Sequence, residues 1–247
     1  MAKVLFVGES WSSYGIHIKG FNAYYTGGYE EGGKPLLEAL SQEGHEVTYL
    51  RNHEATDAFP NLVEELRKYD VVIFSDVGAD TFLLHPDVFT RYQTRPNPLS
   101  ALVEYVAGGG GFLMVGGYMS FSGFEGKANY HYTPMADVLP VKLAGHDDRI
   151  ERPEGCVPTV ALREHAILTG LPDDWPHFLG YNKLFPKDDV QVLLSVGGDP
   201  FLVVTEHGAG HVAAFASDCA PHWGSPSFVS WKSYPRFWSQ LVNWLAS

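Results

Sequence analysis

Cysteine is nearly absent: Cys156 and Cys219 are the only two in 247 residues. They form no spaced cluster, so neither a disulfide framework nor a thiolate metal site is indicated. Positive charge is scarce as well, with 17 Lys and Arg against 29 Asp and Glu and a net charge of −12. Without a basic run the chain lacks the electrostatic footprint of a nucleic-acid or anionic-membrane binder. No apolar stretch approaches membrane-spanning length, and MAKVLFVGES reads as the start of a strand rather than a signal peptide. A reducing, cytoplasmic location is therefore expected, with neither nucleic acid nor membrane as partner. Apolar residues are plentiful, at 45% hydrophobic and 14% aromatic, and sufficient for a full core. No linker composition divides the chain, so one domain over residues 1–247 is expected.

Val4 to Val7 is an apolar run of β-formers closed by Gly8, the pattern of a strand buried on both faces. Residues 9–33 follow with six glycines among Trp11, Tyr14, Tyr24, Tyr25 and Tyr29, and read as a long aromatic, Gly-rich loop. Pro35 and Gly44 bracket a helix over about 34–43. The unit then repeats: strand 45–51, helix 61–68, strand 71–74, helix 98–107 and strand 111–115. Alternation of this kind predicts a parallel sheet with helices on both faces. The excursion from about 120 to 185 is less regular, with a helical piece at 134–138 and candidate strands at 141–144 and 157–162. A strand at 190–196 comes next, then strands 201–205 and 212–216 flank His207-Gly208-Ala209-Gly210 as a β-hairpin, and a Trp-rich helix over 234–245 closes the chain.

In open parallel sheets ligands bind beyond the carboxyl ends of the strands. Those positions hold Glu9, Ser10 and Trp11 after the first strand, Asp76 after the third, Gly117, Tyr118 and Ser120 after the Gly-rich strand, and Asp218, His222 and Trp223 after the last. Carboxylates are costly to bury unless paired, so Glu9, Asp76 and Asp218 are expected to share one polar site. His17, in GIHIKG of the aromatic loop, is a candidate lining residue.

GGGGFLMVGGYMSFSG places a sharp turn after a strand, the setting in which α/β enzymes expose a nucleophile, and here the bend carries Tyr118. The order of units, GESW, GGYMSFSG, ADVLPV and SDCAPHWG with its Trp-rich helix resemble the class I glutamine amidotransferase-like superfamily, in the branch related to trehalose-utilisation (ThuA-like) proteins. The resemblance covers nearly the whole chain and implies a flavodoxin-like three-layer α/β sandwich with a mostly parallel central sheet and a C-terminal β-hairpin. It also implies an elbow cysteine, with a histidine and a glutamate after the last hairpin strand, since thiolate attack on an amide needs an adjacent base. This chain departs there. Tyr118 stands at the elbow, Ser217 and Asp218 at the strand end, and His222 four residues past Asp218. Family-type glutamine hydrolysis is expected to be absent, and Cys219 reads as a small buried apolar residue.

Several features carry bland readings. Ser120 and Ser122 suit a turn better than a serine hydrolase, and Tyr118 fits an aromatic plug as well as a ligand contact. Asp147, Asp148 and Glu151 read as a solvated surface stretch, and Gly108–Gly111 as a helix terminator. No close-spaced ligand pair appears, so no metal is assigned, and no cofactor is indicated. Two functions compete. One is an enzyme using Glu9, Tyr118, Asp218 and His222 for acid–base chemistry on a small polar molecule, with Trp11, Tyr24 and Tyr25 suiting sugar faces. The other is a catalytically inactive binding or assembly module. The exposed aromatic loop makes a homo-oligomer a candidate assembly.

Overall fold

Val4, Leu5, Phe6 and Val7 are buried on both sides, as unalternated apolar strands at the centre of a sheet are. They belong to a computed structural model that describes residues 1–247. In chain order its strands are β1 (Lys3–Gly8), β2 (Ser10–Lys19), β3 (Asn22–Glu31), β4 (Glu46–Leu50), β5 (Val71–Ser75), β6 (Gly111–Val115), β7 (Val141–Lys142), β8 (Arg149–Cys156), β9 (Thr159–Val160), β10 (Phe178–Asn182), β11 (Phe185–Pro186), β12 (Gln191–Val196), β13 (Asp199–His207) and β14 (Gly210–Phe215). Eight of them form the main sheet in the order β4-β1-β5-β6-β14-β13-β12-β9. The first five are mutually parallel, and β13, β12 and β9 add antiparallel pairs at one side. The parallel part follows the flavodoxin order, with its switch point between β1 and β5.

The longer helices form where capping and proline agree. Asn97 accepts from the Leu99 N–H, Pro98 opens the helix Pro98–Ala107, and Gly108 caps it. The helix Tyr234–Leu245 buries Phe237, Trp238, Leu241, Val242 and Leu245 along one stripe. His45 is buried just before β4: it accepts from the Ala2 N–H and hydrogen-bonds the Ser239 hydroxyl, tying the first strand to the last helix.

Three expectations need correction. Residues 9–33 are no loop: β2 and β3 pair antiparallel from Ser10↔Glu31 to Lys19↔Asn22 as a separate two-stranded ribbon, turned at Gly20 with φ 61°. The helix expected over 61–68 shrinks to the turn Val63–Leu66, and an unforeseen helix Asn52–Ala58 precedes it. The irregular excursion contains paired strands, with β8 against β10 and β7 against β11. It folds back onto the main sheet: the Asn182 N–H donates to Ala216 O at 2.8 Å, and the Ser217 hydroxyl donates to Gly180 O at 2.7 Å. The excursion therefore roofs the strand ends of β6 and β14.

Candidate functional site

Glu9 and Asp76 follow the two strands that flank the switch point, and both turn through left-handed backbone, with φ 49° and 47°. Non-glycine residues in that region cost about 1 kcal/mol or more and persist only where surroundings over-determine them. Here the Glu9 N–H donates to Ser75 O at 2.8 Å, and the Asp76 N–H donates to the Ser120 hydroxyl at 3.1 Å. Gly8, at φ +108°, lets the two strand ends close up, since a Cβ there would lie 1.9 Å from Ser75 O. Gly117 does the same for the elbow, where a Cβ would lie 2.8 Å from Asp76 Oδ1.

Three expected carboxylates meet in this space. Glu9 and Asp218 are buried, and Asp76 is half-buried. Glu9 Oε2 accepts from the Ser75 hydroxyl at 2.5 Å, Asp76 Oδ1 from the Met119 N–H at 2.6 Å, and Asp218 Oδ1 from the Ala220 N–H at 3.0 Å. Burial, reinforced by the charges of Asp218 and Asp76, pushes the Glu9 carboxyl well above its ordinary range. Burial and the charge of Asp76 do the same to Asp218, and burial raises Asp76 against the pull of the Met119 N–H. Like charges this close cannot all ionise together, so the group retains protons as a unit where isolated carboxyls would have lost them.

Cys219 sits inside the group, its Sγ 3.5 Å from the Ser75 hydroxyl and 3.9 Å from Glu9 Oε2. Burial and the neighbouring carboxylates push its thiol well upward, the opposite of what a thiolate nucleophile needs. Glu9, Asp218 and Cys219 offer ligand atoms within 4.8 Å of one another, a mixed carboxylate–thiol donor set able to hold one divalent cation.

His222 stands at the lip, 43% exposed, with Nδ1 3.8 Å from Asp218 Oδ2. Its ring meets Tyr118 edge to face at 4.5 Å. Tyr118 lies under the guanidinium of Arg149, at 4.5 Å, and beside Phe124 and Trp223. The Tyr118 hydroxyl donates to Glu151 Oε1 at 2.9 Å, and Trp223 Nε1 donates to Glu151 Oε2 at 3.0 Å. Burial and Glu151 raise the Tyr118 phenol, so it stays a donor at neutral pH.

The structure thus gathers Glu9, Asp76, Gly117, Tyr118, Ser120, Asp218, His222 and Trp223. Trp11 stands beside them at the root of the ribbon: a Cβ on Gly32 would lie 2.7 Å from Glu9 Oε1 and 3.1 Å from the Trp11 ring. Ser10 is buried nearby but serves the helix Asn52–Ala58, accepting from the Asn52 N–H at 2.9 Å. His17 lies elsewhere, far out on β2, stacked on Tyr24 at 4.6 Å and bonded to the Thr26 hydroxyl. Tyr24 and Tyr25 go with it, which removes them from the mouth of the site.

The stretch read as solvated is partly buried instead. Asp148 is 3% exposed and accepts from the N–H groups of Ser122 and Gly123 at 2.9 Å each and from Asn182 Nδ2 at 2.8 Å. Asn182 in turn accepts from the Gly117 N–H at 3.0 Å, so the roof holds the elbow from above. Glu151, Asp148 and Asn182 carry no local motif, and only the pairing of β8 with β10 brings them here. Cys219 had a signal, its place next to Asp218 in SDCAPHWG.

A family model described as "Putative glutamine amidotransferase" matches residues 3–247. The cytoplasmic protein STM3548 from Salmonella typhimurium is 44% identical, with a TM-score of 0.95 and 98% of each chain covered. The cytoplasmic protein STM1381 from Salmonella typhimurium LT2 is 45% identical, with the same TM-score and 98% of this chain and 99% of that one covered. A "Putative thua-like protein" from Parabacteroides merdae shares the fold at a TM-score of 0.56 and 12% identity, over 100% of this chain and 90% of that one. No curated protein matches. With its parallel sheet, terminal hairpin and elbow in the places the motifs implied, the chain belongs to the glutamine amidotransferase-like family whose model it matches from end to end.

Proposed function

We propose that this protein acts on a small polar molecule at the carboxyl ends of β1, β5, β6 and β14, by acid–base chemistry and without glutaminase activity. The observation that carries the reading is the convergence of Glu9, Asp76 and Asp218 at the switch point beneath Tyr118 and His222. Asp218 holds or releases the proton, and His222, which reaches solvent with Nδ1 3.8 Å from Asp218 Oδ2, exchanges it through one bridging water. Tyr118 is the donor at the elbow, where the thiolate of an amidotransferase would stand. Like the two Salmonella relatives described as cytoplasmic, the chain is assigned to the cytoplasm.

A second reading, an inactive binding module of the same fold, is favoured by one observation. Five surface clefts of about 190 to 520 Å³ are lined by other residues than the three carboxylates, and the Tyr118 hydroxyl is already committed to Glu151. Thermal-shift measurements against sugars, sugar acids, glutamine and divalent metals, run on the native chain and on Asp218→Ala, separate the two. A ligand that binds only the folded state raises the melting temperature by mass action. A shift lost in the variant supports a ligand site at the strand ends and names its substrate class, and no shift with any compound favours the inactive module. Release of ammonia from glutamine by the native chain would defeat both.

A further inference from the structure

The ribbon of β2 and β3 pairs with no other strand, and at about 3.3 Å per residue its ten-residue strands reach roughly 30 Å from the body. An isolated two-stranded ribbon is at best marginally stable in water. This one is amphipathic. Side chains alternate along a strand, and the register Ile16↔Tyr25 and Ile18↔Ala23 puts Tyr14, Ile16, Ile18 and Tyr25 on one face. The other face is mixed, with Ser13, His17, Lys19 and Thr26 beside Trp11 at the root and Tyr24 stacked on His17. A face patterned for burial is open: Tyr14 is 85% exposed, Ile18 73% and Tyr25 75%, and Phe21 at the tip is fully exposed.

A second surface, mixed in character, lies on the body. A cleft of about 430 Å³ has an apolar floor of Phe59, Phe82, Leu83, Val88 and Tyr92 and a polar side that includes His85 and Arg95, and the exposed Leu62, Leu84 and Phe89 adjoin these residues in sequence. The helix Asn52–Ala58 joins the two surfaces. Its first turn holds the root of the ribbon, through Asn52 to Ser10 and His53 against the Tyr29 ring at 5.3 Å, and its Ala55 and Thr56 line the cleft.

We propose that the ribbon is a dimerisation arm whose Tyr14–Ile16–Ile18–Tyr25 face lies on the cleft of a second copy of this chain. The second copy's arm lies on the first in return. Reciprocal exchange about a two-fold axis closes at two subunits. Two quantities select a second copy as occupant. Counting 150–250 Å² for each aromatic ring, the open face and tip expose on the order of 800 Å², the share a standard interface takes from each partner. Residues 11–29 also carry a single formal charge, Lys19, in a chain of net charge −12. The arm therefore adds little charge repulsion between two such copies.

Sedimentation equilibrium of the full chain tests the assignment, with a dimer of Kd about 1 µM or tighter expected. The arm variant Tyr14→Ser/Ile16→Ser/Ile18→Ser/Tyr25→Ser is expected to be monomeric, and the rim variant Phe89→Ser/Tyr92→Ser to bind at least tenfold more weakly. All six side chains are exposed, so circular dichroism should show an unchanged fold in both variants. A monomeric native chain, or a dimer that both variants leave intact, overturns the proposal. A monomeric native chain that sediments with phosphatidylcholine vesicles also overturns it, and assigns the apolar face to lipid.

Discussion

The Ser75 hydroxyl donates to Glu9 Oε2 at 2.5 Å while the Glu9 N–H donates to Ser75 O at 2.8 Å, so the residue ending β5 grips the one following β1 from both sides. This pair of hydrogen bonds fixes a carboxyl group at the switch point, facing Asp218 and Asp76. Its cost is the burial of like charges, and that cost is measurable.

The carboxyls of Glu9 and Asp218 are raised in the folded chain above the value of about 4 they have when unfolded. The native state then keeps protons that the unfolded state has already lost. The stability this gives is fully present below pH ~4 and is lost as pH climbs through the raised folded values. Asp218→Asn keeps the acceptor for the Ala220 N–H and removes the charge. It is expected to be more stable than the native chain at pH 8 by about 1 kcal/mol or more, with the gap closing toward pH 4. Urea titrations at both pH values check this, and an equal gap at the two would contradict the raised carboxyl.

Gly8→Ala is expected to destabilise by more than about 2 kcal/mol. Its Cβ would lie 1.9 Å from Ser75 O, a backbone atom that cannot step aside, at a φ of +108° that side chains avoid. Gly28→Ala, with open space around its Cβ, serves as the control. Chemical denaturation of the pair should separate them clearly.

Glu151 accepts from both the Tyr118 hydroxyl and Trp223 Nε1. Glu151→Ala leaves the buried indole N–H unpaired, at a cost of about 1–2 kcal/mol. It also frees the Tyr118 ring, so the phenol is expected to titrate at lower pH, which ultraviolet absorbance near the phenolate band reads directly. Glu151→Gln, which keeps an acceptor, should restore most of the stability.

Asp148 receives three hydrogen bonds beneath the roof. Asp148→Ala strands two elbow N–H groups and the Asn182 amide, and is expected to cost about 2–4 kcal/mol. The solvated reading of this residue predicts no measurable change, so one melting curve decides between them.

Much of the frame was legible along the chain. The helix Pro98–Ala107 and the strand Gly111–Val115 fall where proline, glycine and the apolar run place them, because those signals are local. The hairpin of β13 and β14 lies where its turn predicts, though the strands run longer. The ribbon was less legible. Tyr14, Ile16 and Ile18 do alternate, but Gly15, Gly27 and Gly28 interrupt the pattern as breakers would, and an exposed ribbon shows no burial period to outweigh them.

By itself the sequence determined the parallel sheet, the acidic residues at its strand ends and a tyrosine at the elbow, because strand periodicity and the residue after each strand are properties of short segments. Tertiary structure alone decided that Cys219 lies among carboxylates and that Glu151, Asp148 and Asn182 hold the elbow. It also placed His17 on an arm rather than in the site. Those outcomes depend on contacts between residues up to 210 positions apart, as between Glu9 and Cys219. Contacts of that range follow from how whole layers pack, which no local run of residues encodes.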